Sequence, residues 1–274
     1  MPYDHTIFHV PQEGDIQIIH NAAMPDRASD LSKLFDLLVQ RDRQLFVDKK
    51  IVIVSGDYPQ PPHNINDFDF KFSTVVPLHG DSPFHFFPTA CSLAWVYIGV
   101  NDTQAVIREM LDNNRPILNK KIWWAGAAHH PQRQDYYNYS LQNQDICETF
   151  LSDNNEERKR KFLTMPDHDN YKYLMDMQGQ GWSGRLKYLL ASGRVVFMPD
   201  RPWVEHWHRK LIPWEHYVPV NADFSDLREK YNHLESNDTL YTNIAANAKQ
   251  FTRDNILLDA QLTHIIESLK NSHV

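Results

Sequence analysis

The segment over residues 171–227 constrains the fold most strongly, because strand-like and helix-like patterns alternate in it at short intervals. The predicted elements are strands over 171–177, 194–198 and 216–220 and helices over 183–191, 203–210 and from about 225. Asp223 or Ser225 is expected to cap the third helix. This alternation predicts an α/β fold with a doubly wound sheet, in which ligands bind at the carboxyl ends of the strands.

The rest of the chain extends the same pattern. Ile51 to Val54 forms a β-branched run that ends at Ser55-Gly56, which is typical of a buried parallel strand. The other predicted elements are helices over 31–46, 104–111, 238–252 and 255–270, strands over 72–77 and 122–126, and a helix that opens at Asp153 and carries the basic run 158–161. A turn over 113–116 separates two halves, which predicts domains over 1–118 and 119–252 and a closing helix over 253–274.

Charge and composition exclude several classes of protein. The formal net charge of −7 gives no electrostatic footprint for general nucleic-acid binding. No run of about 18 apolar residues predicts a membrane-spanning helix, and two cysteines are too few for a disulfide framework. The first residues lack a basic region followed by an apolar run, so the expected location is the cytoplasm. The 7 Trp, 12 Tyr and 14 Phe suit a core and a cleft that stacks on flat rings.

One glycine-rich turn carries groups that suit a bound anion. Gly179-Gln180-Gly181-Trp182-Ser183-Gly184-Arg185 follows a predicted strand and leads into a predicted helix. Glycines let backbone approach a ligand closely, and a hydroxyl and a guanidinium on the first helical turn are donors suited to a diphosphate. The spacing matches neither the dinucleotide fingerprint nor the P-loop. Spacing alone therefore leaves a diphosphate site and a plain tight turn equally open.

Asp57 is the candidate general base. It follows the strand over 51–54 on a loop that Pro59, Pro61 and Pro62 stiffen. A carboxylate held at the carboxyl end of a strand is well placed to take a proton from a substrate. The alternative interpretation, an ordinary turn aspartate, is more common on this evidence alone.

The histidines do not predict a metal site. A helical zinc site has two histidines four residues apart, whereas His129-His130 and His206 with His208 have other spacings. No metal or other cofactor is therefore expected, and a zinc hydrolase built on these histidines is the weakest alternative. The nucleophile pattern G-x-S-x-G is also absent around Ser183.

Two long stretches resemble glycosyltransferase family 90. They are YKYLMDMQGQGWSGRLKYLLASGRVVFM from Tyr171 and WVEHWHRKLIPWEHYVPVNADFSDL from Trp203. IVIVSGDYPQPP from Ile51 and WWAGAAHHPQR from Trp123 add weaker support. The family includes CAP10-like capsule proteins, eukaryotic protein O-glucosyltransferases and bacterial lipopolysaccharide-core proteins.

The resemblance implies a GT-B-like architecture of two Rossmann-like lobes with a cleft between them. Residues 1–118 would form the acceptor-side lobe and 119–252 the nucleotide-sugar lobe, with the C-terminal helix closing back on the first lobe. It also implies an inverting, metal-independent transfer from a UDP-sugar in which Asp57 is the catalytic base. The donor-binding residues that the resemblance implies are Arg133, Gln180, Gly181, Trp182, Ser183, Gly184 and Arg185.

Several points stay open beside the resemblance. Gly126-Ala127-Ala128 stands where the eukaryotic branch has Gly-Ser-Arg, so the donor sugar is not defined beyond a glucose-like or xylose-like sugar. Glu205 either accepts from ribose hydroxyls or forms a structural ion pair, and Trp182 either stacks on the uracil or packs in the core. The expected acceptor is a saccharide, such as lipopolysaccharide or another lipid-linked glycan, with peripheral contact at the inner face of the membrane. The alternative is a catalytically silent nucleotide-sugar or glycan-binding module.

Overall fold

The structure is a computed structural model that describes residues 5–21, 25–56, 64–152 and 163–271. Within these ranges the chain forms an α/β fold with two five-stranded sheets and one two-stranded sheet. The strands are β1 (His5–His9), β2 (Gln17–Asn21), β3 (Lys50–Val54), β4 (Phe70–Ser73), β5 (Val76–Pro77), β6 (His85–Phe86), β7 (Asn119–Gly126), β8 (Cys147–Leu151), β9 (Tyr171–Met175), β10 (Val195–Pro199), β11 (Trp203–Val204) and β12 (Val218–Val220). The α-helices are α1 (Pro25–Arg41), α2 (Thr103–Asp112), α3 (Pro131–Gln142), α4 (Leu186–Ala191), α5 (Leu227–Glu235), α6 (Asp238–Asn255) and α7 (Leu258–Asn271).

The first sheet is mixed, with the strand order β2-β1-β3-β4-β6. β1 is antiparallel to β2 and β3, whereas β3, β4 and β6 are parallel neighbours. Helix α1 packs Leu34, Phe35 and Leu38 into the core of this sheet. Helix α7 adds Leu262 and Ile265 to the same core, so the last helix of the chain packs with the first sheet.

The second sheet has the order β12-β10-β9-β7-β8, and all neighbouring strands are parallel. Trp123 and Trp124 are consecutive on β7 and point to opposite faces, as strand geometry requires. Trp124 packs with Tyr136 of α3 on one face, and Trp123 packs with Leu189 of α4 on the other. The predicted doubly wound sheet is therefore confirmed.

The order of the second sheet creates a switch point between β7 and β9. The chain passes from β7 to β8 on one side and then continues through β9, β10 and β12 on the other side. The helices that follow β7 and β9 consequently lie on opposite faces and leave a crevice at the carboxyl ends of these strands. In open α/β sheets this is the place where ligands bind.

Tertiary pairing changes two predicted elements. The helix predicted over 203–210 is the strand β11 followed by a 3₁₀ turn over His206–Lys210, because Trp203 and Val204 pair antiparallel with β5. The strand predicted over 72–77 is divided into β4 and β5. Arg209 strengthens this junction by donating from Nε to the Pro77 carbonyl oxygen at 2.8 Å. The two-stranded β5–β11 sheet thus joins segments that are more than 120 residues apart.

Several predicted helix starts are wrong. Helix α1 begins at Pro25, six residues before the predicted start, and α7 begins at Leu258 rather than at residue 255. Helix α4 begins only at Leu186, because the Gly179 N–H donates to the Trp182 carbonyl oxygen at 2.8 Å and closes a turn ahead of it. Helix α5 begins at Leu227 without a side-chain cap. The Asp223 carboxylate instead accepts from the Ser225 N–H, a turn that precedes the helix.

Some expectations stay predictions. The helix predicted from Asp153 and the basic run 158–161 lie outside the described residues. The division into 1–118, 119–252 and 253–274 also stays a prediction. Among the helices that the structure describes, none combines the length and apolarity that crossing a bilayer requires.

Candidate functional site

A cavity of about 290 Å³ lies at the switch point of the second sheet. Ala125, Gly126 and Ala127 line it from the end of β7, Ser152 from the residue after β8, and Arg185 from the turn that follows β9. Three adjacent parallel strands therefore direct their carboxyl ends at one cavity. Its volume is near the lower limit of small-molecule sites, about 300 Å³.

Two arginines line this cavity from opposite faces of the sheet. Arg133, in the first turn of α3, donates from Nε to the Gln178 carbonyl oxygen at 2.7 Å and from Nη1 to the Ala127 carbonyl oxygen at 3.3 Å. Arg185 donates from Nη1 to the Ala125 carbonyl oxygen. Each guanidinium carbon lies 5.9 Å from the centroid of the Trp124 ring. The structure thus brings together the two arginines that were predicted to bind the donor.

The two guanidinium groups form a desolvated centre of positive charge. Burial, with Arg185 and Arg201 adding repulsion, lowers the pKa of Arg133 to about 10. Burial also lowers the pKa of Arg185. Within the described ranges neither group forms an ion pair with a carboxylate. Guanidinium groups so placed favour a bidentate anion such as a phosphate or carboxylate.

Asp176, a buried carboxylate whose charge acts on both arginines, is already paired. Asp176 is 0% exposed and accepts from Arg201 Nη1 at 2.7 Å and from Ser183 Oγ at 2.7 Å. Arg201 belongs to the segment between β10 and β11, so the pair connects the ends of neighbouring strands. The Ser183 hydroxyl is engaged with Asp176, and its predicted contact with a donor stays a prediction.

The rest of the glycine turn does not line the 290 Å³ cavity. Gly181 is buried and Gln180 is exposed, and the Trp182 ring has Lys187 Nζ 5.5 Å from its centroid. Trp182 also lines a small cavity of about 20 Å³ with Gly56, the residue after Ser55 at the end of β3. The carboxyl end of β3 and the glycine turn therefore lie side by side. Asp57, the next residue, lies outside the described residues.

Glu205 forms the buried ion pair that was one of its two predicted roles. Its Oε1 accepts from Lys187 Nζ at 3.1 Å and from Thr89 Oγ1 at 2.8 Å. The side chains of Lys187 and Glu205 are 1% and 4% exposed. Glu205 follows β11 and does not line the 290 Å³ cavity. These contacts favour a structural role, and direct contact with a ribose stays a prediction.

Sequence reasoning missed most of the cavity wall. The apolar lining residues that it did not single out are Trp95, Ile98, Phe150, Leu163 and Met165. His168 also lines the cavity, and burial lowers the pKa of its imidazole to about 4. These residues come from separate segments, and in the sequence they are indistinguishable from core residues.

Gly184 sets the position of one wall of the cavity. A Cβ at this residue would lie 3.0 Å from two atoms of the Trp95 ring, closer than ordinary packing allows. We expect Gly184→Ala to displace Trp95 and to lower the free energy of unfolding by about 1–3 kcal/mol, as overpacked substitutions do. Urea unfolding followed by circular dichroism measures this difference. Wild-type stability in the variant would contradict the predicted close contact.

The histidines do not gather into a metal site in the part of the chain that the structure describes. No group of three His, Cys, Asp or Glu side chains in these ranges is arranged to hold a metal ion. His206 stacks on Phe86, with ring centroids 3.3 Å apart, and His208 is buried.

Comparison with known proteins connects this site to a family. The family model described as glycosyl transferase family 90 matches residues 81–269. Protein O-glucosyltransferase 1 of Rattus norvegicus is 31% identical over 150 residues, which cover 52% of this chain and 38% of the relative. Protein O-glucosyltransferase 2 of Danio rerio is 30% identical over 156 residues, covering 53% and 31%. The matched part thus spans less than two fifths of the length of these curated relatives.

Solved structures add a weaker likeness. A glycosyltransferase from Rickettsia africae has a TM-score of 0.36 and 13% identity, over 61% of this chain and 44% of that one. This value is too low to support an argument about fold or function. The match of the family model includes the glycine turn, both cavity arginines and the whole second sheet. Since it covers well over half of the sequence, the chain belongs to glycosyl transferase family 90.

Proposed function

We propose that the protein is a glycosyltransferase that moves a hexose from a UDP-sugar to a hydroxyl of a saccharide. The observation that carries the proposal is the pair of desolvated guanidiniums of Arg133 and Arg185 at the switch-point cavity. They provide two positive charges without a carboxylate partner in the described ranges, where a nucleoside diphosphate can accept from both. Family membership supports the same class of reaction.

The arginines would stabilise the leaving group. As the bond between the anomeric carbon and the diphosphate oxygen breaks, the electron pair stays on the diphosphate, and its negative charge increases. Fixed guanidinium groups in a desolvated site stabilise such charge without reorganisation during the reaction. This stabilisation of the leaving group supports a transfer that needs no metal ion. We therefore propose that the enzyme requires no cofactor.

Asp57 would act as the base on the acceptor side. The acceptor oxygen attacks the anomeric carbon from the face opposite UDP, which inverts the configuration, and its proton passes to the Asp57 carboxylate. The small cavity that Gly56 and Trp182 both line supports this arrangement, because the carboxyl end of β3 lies beside the glycine turn there. The first sheet would thus supply the acceptor side and the second the donor side, as two lobes of a GT-B arrangement.

The acceptor that we propose is a glycan of the cell surface, such as a lipopolysaccharide core or another lipid-linked saccharide. Such an acceptor would bring a cytoplasmic enzyme into peripheral contact with the inner face of the membrane. The proposed donor sugar is glucose or a xylose-like sugar. Two of the curated relatives named above are O-glucosyltransferases by name, which supports glucose.

A catalytically silent binding module is the second candidate. Ala127 lines the cavity where the eukaryotic branch of the family has a polar side chain, so this chain lacks one ligand contact there. Labelled UDP-hexoses separate the two functions. An enzyme releases UDP and forms transferred or hydrolysed sugar, whereas a binding module shows saturable binding and no product.

Arg133→Gln tests the diphosphate site. We expect the variant to bind UDP about tenfold or more weakly than wild type, because a charge-assisted hydrogen bond contributes about 1.5–3 kcal/mol. Isothermal titration calorimetry with UDP and with inorganic pyrophosphate measures the loss, which should be similar for both ligands. The matched control is Arg108→Gln, an exposed arginine on α2 that does not line the cavity. Unchanged UDP affinity in Arg133→Gln would rule out this site.

A further inference from the structure

Trp124 packs behind the wall of the 290 Å³ cavity and is not one of the described residues that line it. Its ring is 0% exposed, and Gly126, two residues further along β7, forms part of the wall. A Cβ at Gly126 would lie 2.7 Å from Cζ2 of the Trp124 ring, so the ring packs directly against backbone that lines the cavity. A ligand therefore meets the glycine backbone rather than the indole. Any effect of Trp124 on binding has to act through its neighbours.

The neighbours that bear charge are the two arginines of the cavity. The guanidinium carbons of Arg133 and Arg185 both lie over the Trp124 ring, each 5.9 Å from its centroid. A cation within roughly 6 Å of a ring centroid is attracted by the negative face of the ring, and tryptophan attracts it most strongly. The two arginines come from α3 and from the turn that follows β9, so one ring joins groups from two segments.

Backbone carbonyl oxygens hold the edges of the same two groups. Nε and Nη1 of Arg133 donate to the carbonyl oxygens of Gln178 and Ala127. Nη1 of Arg185 donates to the carbonyl oxygen of Ala125. A planar guanidinium donates hydrogen bonds in its plane, which leaves its faces free to pack on an aromatic ring. The ring and the carbonyl oxygens therefore restrain different directions of movement.

Mutual repulsion is the force that these contacts oppose. Burial lowers the pKa of Arg133, and the charge of Arg185 lowers it further. Such repulsion is stronger in a desolvated site than in water, because the effective dielectric constant is lower. Asp176, the carboxylate that opposes it, is shared with Arg201. An indole attracts both cations without bringing a negative charge, whereas a carboxylate in its place would repel an incoming anion.

We propose that Trp124 is a positioning residue that holds the guanidinium groups of Arg133 and Arg185 in place for a diphosphate by attracting both through its ring face. The inference depends on the proposed function, because it concerns the arginines that bind the diphosphate of the donor. Trp124 contacts no substrate and takes no part in the chemical step. It keeps the two cations together before the ligand arrives, and preorganisation of this kind raises affinity.

Fluorinated tryptophan incorporated at residue 124 tests the inference with little change in shape. Fluorine withdraws electron density from the ring, so 5-fluorotryptophan and 4,5-difluorotryptophan attract a cation progressively less. Both keep fluorine away from Cζ2, the ring atom nearest to Gly126. We expect the affinity for inorganic pyrophosphate, measured by isothermal titration calorimetry, to fall about two- to threefold with each fluorine. UDP should show the same decrease.

Trp123 provides the matched control. It is consecutive with Trp124 on β7 and 2% exposed, but its ring stacks on Tyr171, with centroids 4.6 Å apart. The same fluorinated residues at position 123 should leave the affinity for pyrophosphate unchanged. Unchanged affinity with 4,5-difluorotryptophan at residue 124, or an equal decrease at residue 123, would overturn the role of Trp124 and leave the proposed function standing. Failure of the wild type to bind either UDP or pyrophosphate would overturn both.

A double-mutant cycle gives an independent measurement. Trp124→Leu should weaken the binding of pyrophosphate about tenfold or more, and Trp124→Phe, which keeps an aromatic face, should retain much of the affinity. Arg133→Gln should cost less affinity in the Trp124→Leu protein than in wild type, because the arginine is no longer held in position. Additive losses would contradict the inference. If Trp124→Leu does not fold, the fluorinated series decides.

Discussion

Asp57→Asn is expected to reduce the rate of hexose transfer by about 100-fold or more, while the affinity for UDP stays close to that of wild type. An asparagine has a similar shape but cannot take the proton of the attacking hydroxyl. Because the base acts on the acceptor side, its removal does not disturb the contacts of the diphosphate with Arg133 and Arg185. Release of UDP from a labelled UDP-hexose, with calorimetry for UDP binding, measures the two effects separately.

The matched control is Asp81→Asn, an exposed aspartate of the same half of the chain, which should retain full activity. Wild-type turnover in Asp57→Asn would remove Asp57 from the role of base. Loss of UDP affinity together with turnover would also contradict the mechanism, because it would place the carboxylate on the donor side.

Arg201→Met is expected to lower the free energy of unfolding by about 3–5 kcal/mol, because it leaves the Asp176 carboxylate buried without its counter-charge. Asp176 is 0% exposed, and Arg201 is 3% exposed. The Ser183 hydroxyl would be the only remaining side-chain donor to Asp176 among the described residues. Urea unfolding followed by circular dichroism at pH 7 gives the difference directly.

A surface pair of the same chemistry provides the control. Arg228 Nη2 lies 2.7 Å from Asp145 Oδ1, but the two side chains are 42% and 64% exposed. Arg228→Met should cost less than about 1 kcal/mol, since water solvates the carboxylate that loses its partner. The double variant Asp176→Leu/Arg201→Met should recover much of the lost stability. Equal losses in Arg201→Met and Arg228→Met would show that burial of Asp176 does not govern its contribution.

Most elements of the second sheet were predictable from local pattern. The apolar runs at β7, β9 and β10 and the helical spacing of α6 predict their places to within a few residues. A strand or a helix buries one face, so apolar residues recur along the sequence with the period of that element. The glycine turn was recognisable for the same reason, because glycines and a following arginine stand within seven consecutive residues.

Residue pairs distant in the sequence were not predictable in this way. Trp203 and Val204 have helical surroundings in the sequence, yet they form a strand because β5 offers a partner. Nothing near Glu205 in the sequence reveals that Lys187 and Thr89 surround it. Likewise, Asp176 and Arg201 are 25 residues apart, and only the folded sheet brings them together.

The sequence by itself determined the α/β class, the alternation of strands and helices over residues 171–227 and the residues that resemble the family, because each depends on short-range pattern. Only the tertiary structure decided that Arg133 and Arg185 approach one Trp124 ring, that His168 lines the same cavity and that Glu205 pairs with Lys187. The physical reason is that the desolvation and pairing of these side chains depend on distances between segments that are far apart in the sequence. The pattern of neighbouring residues does not contain those distances.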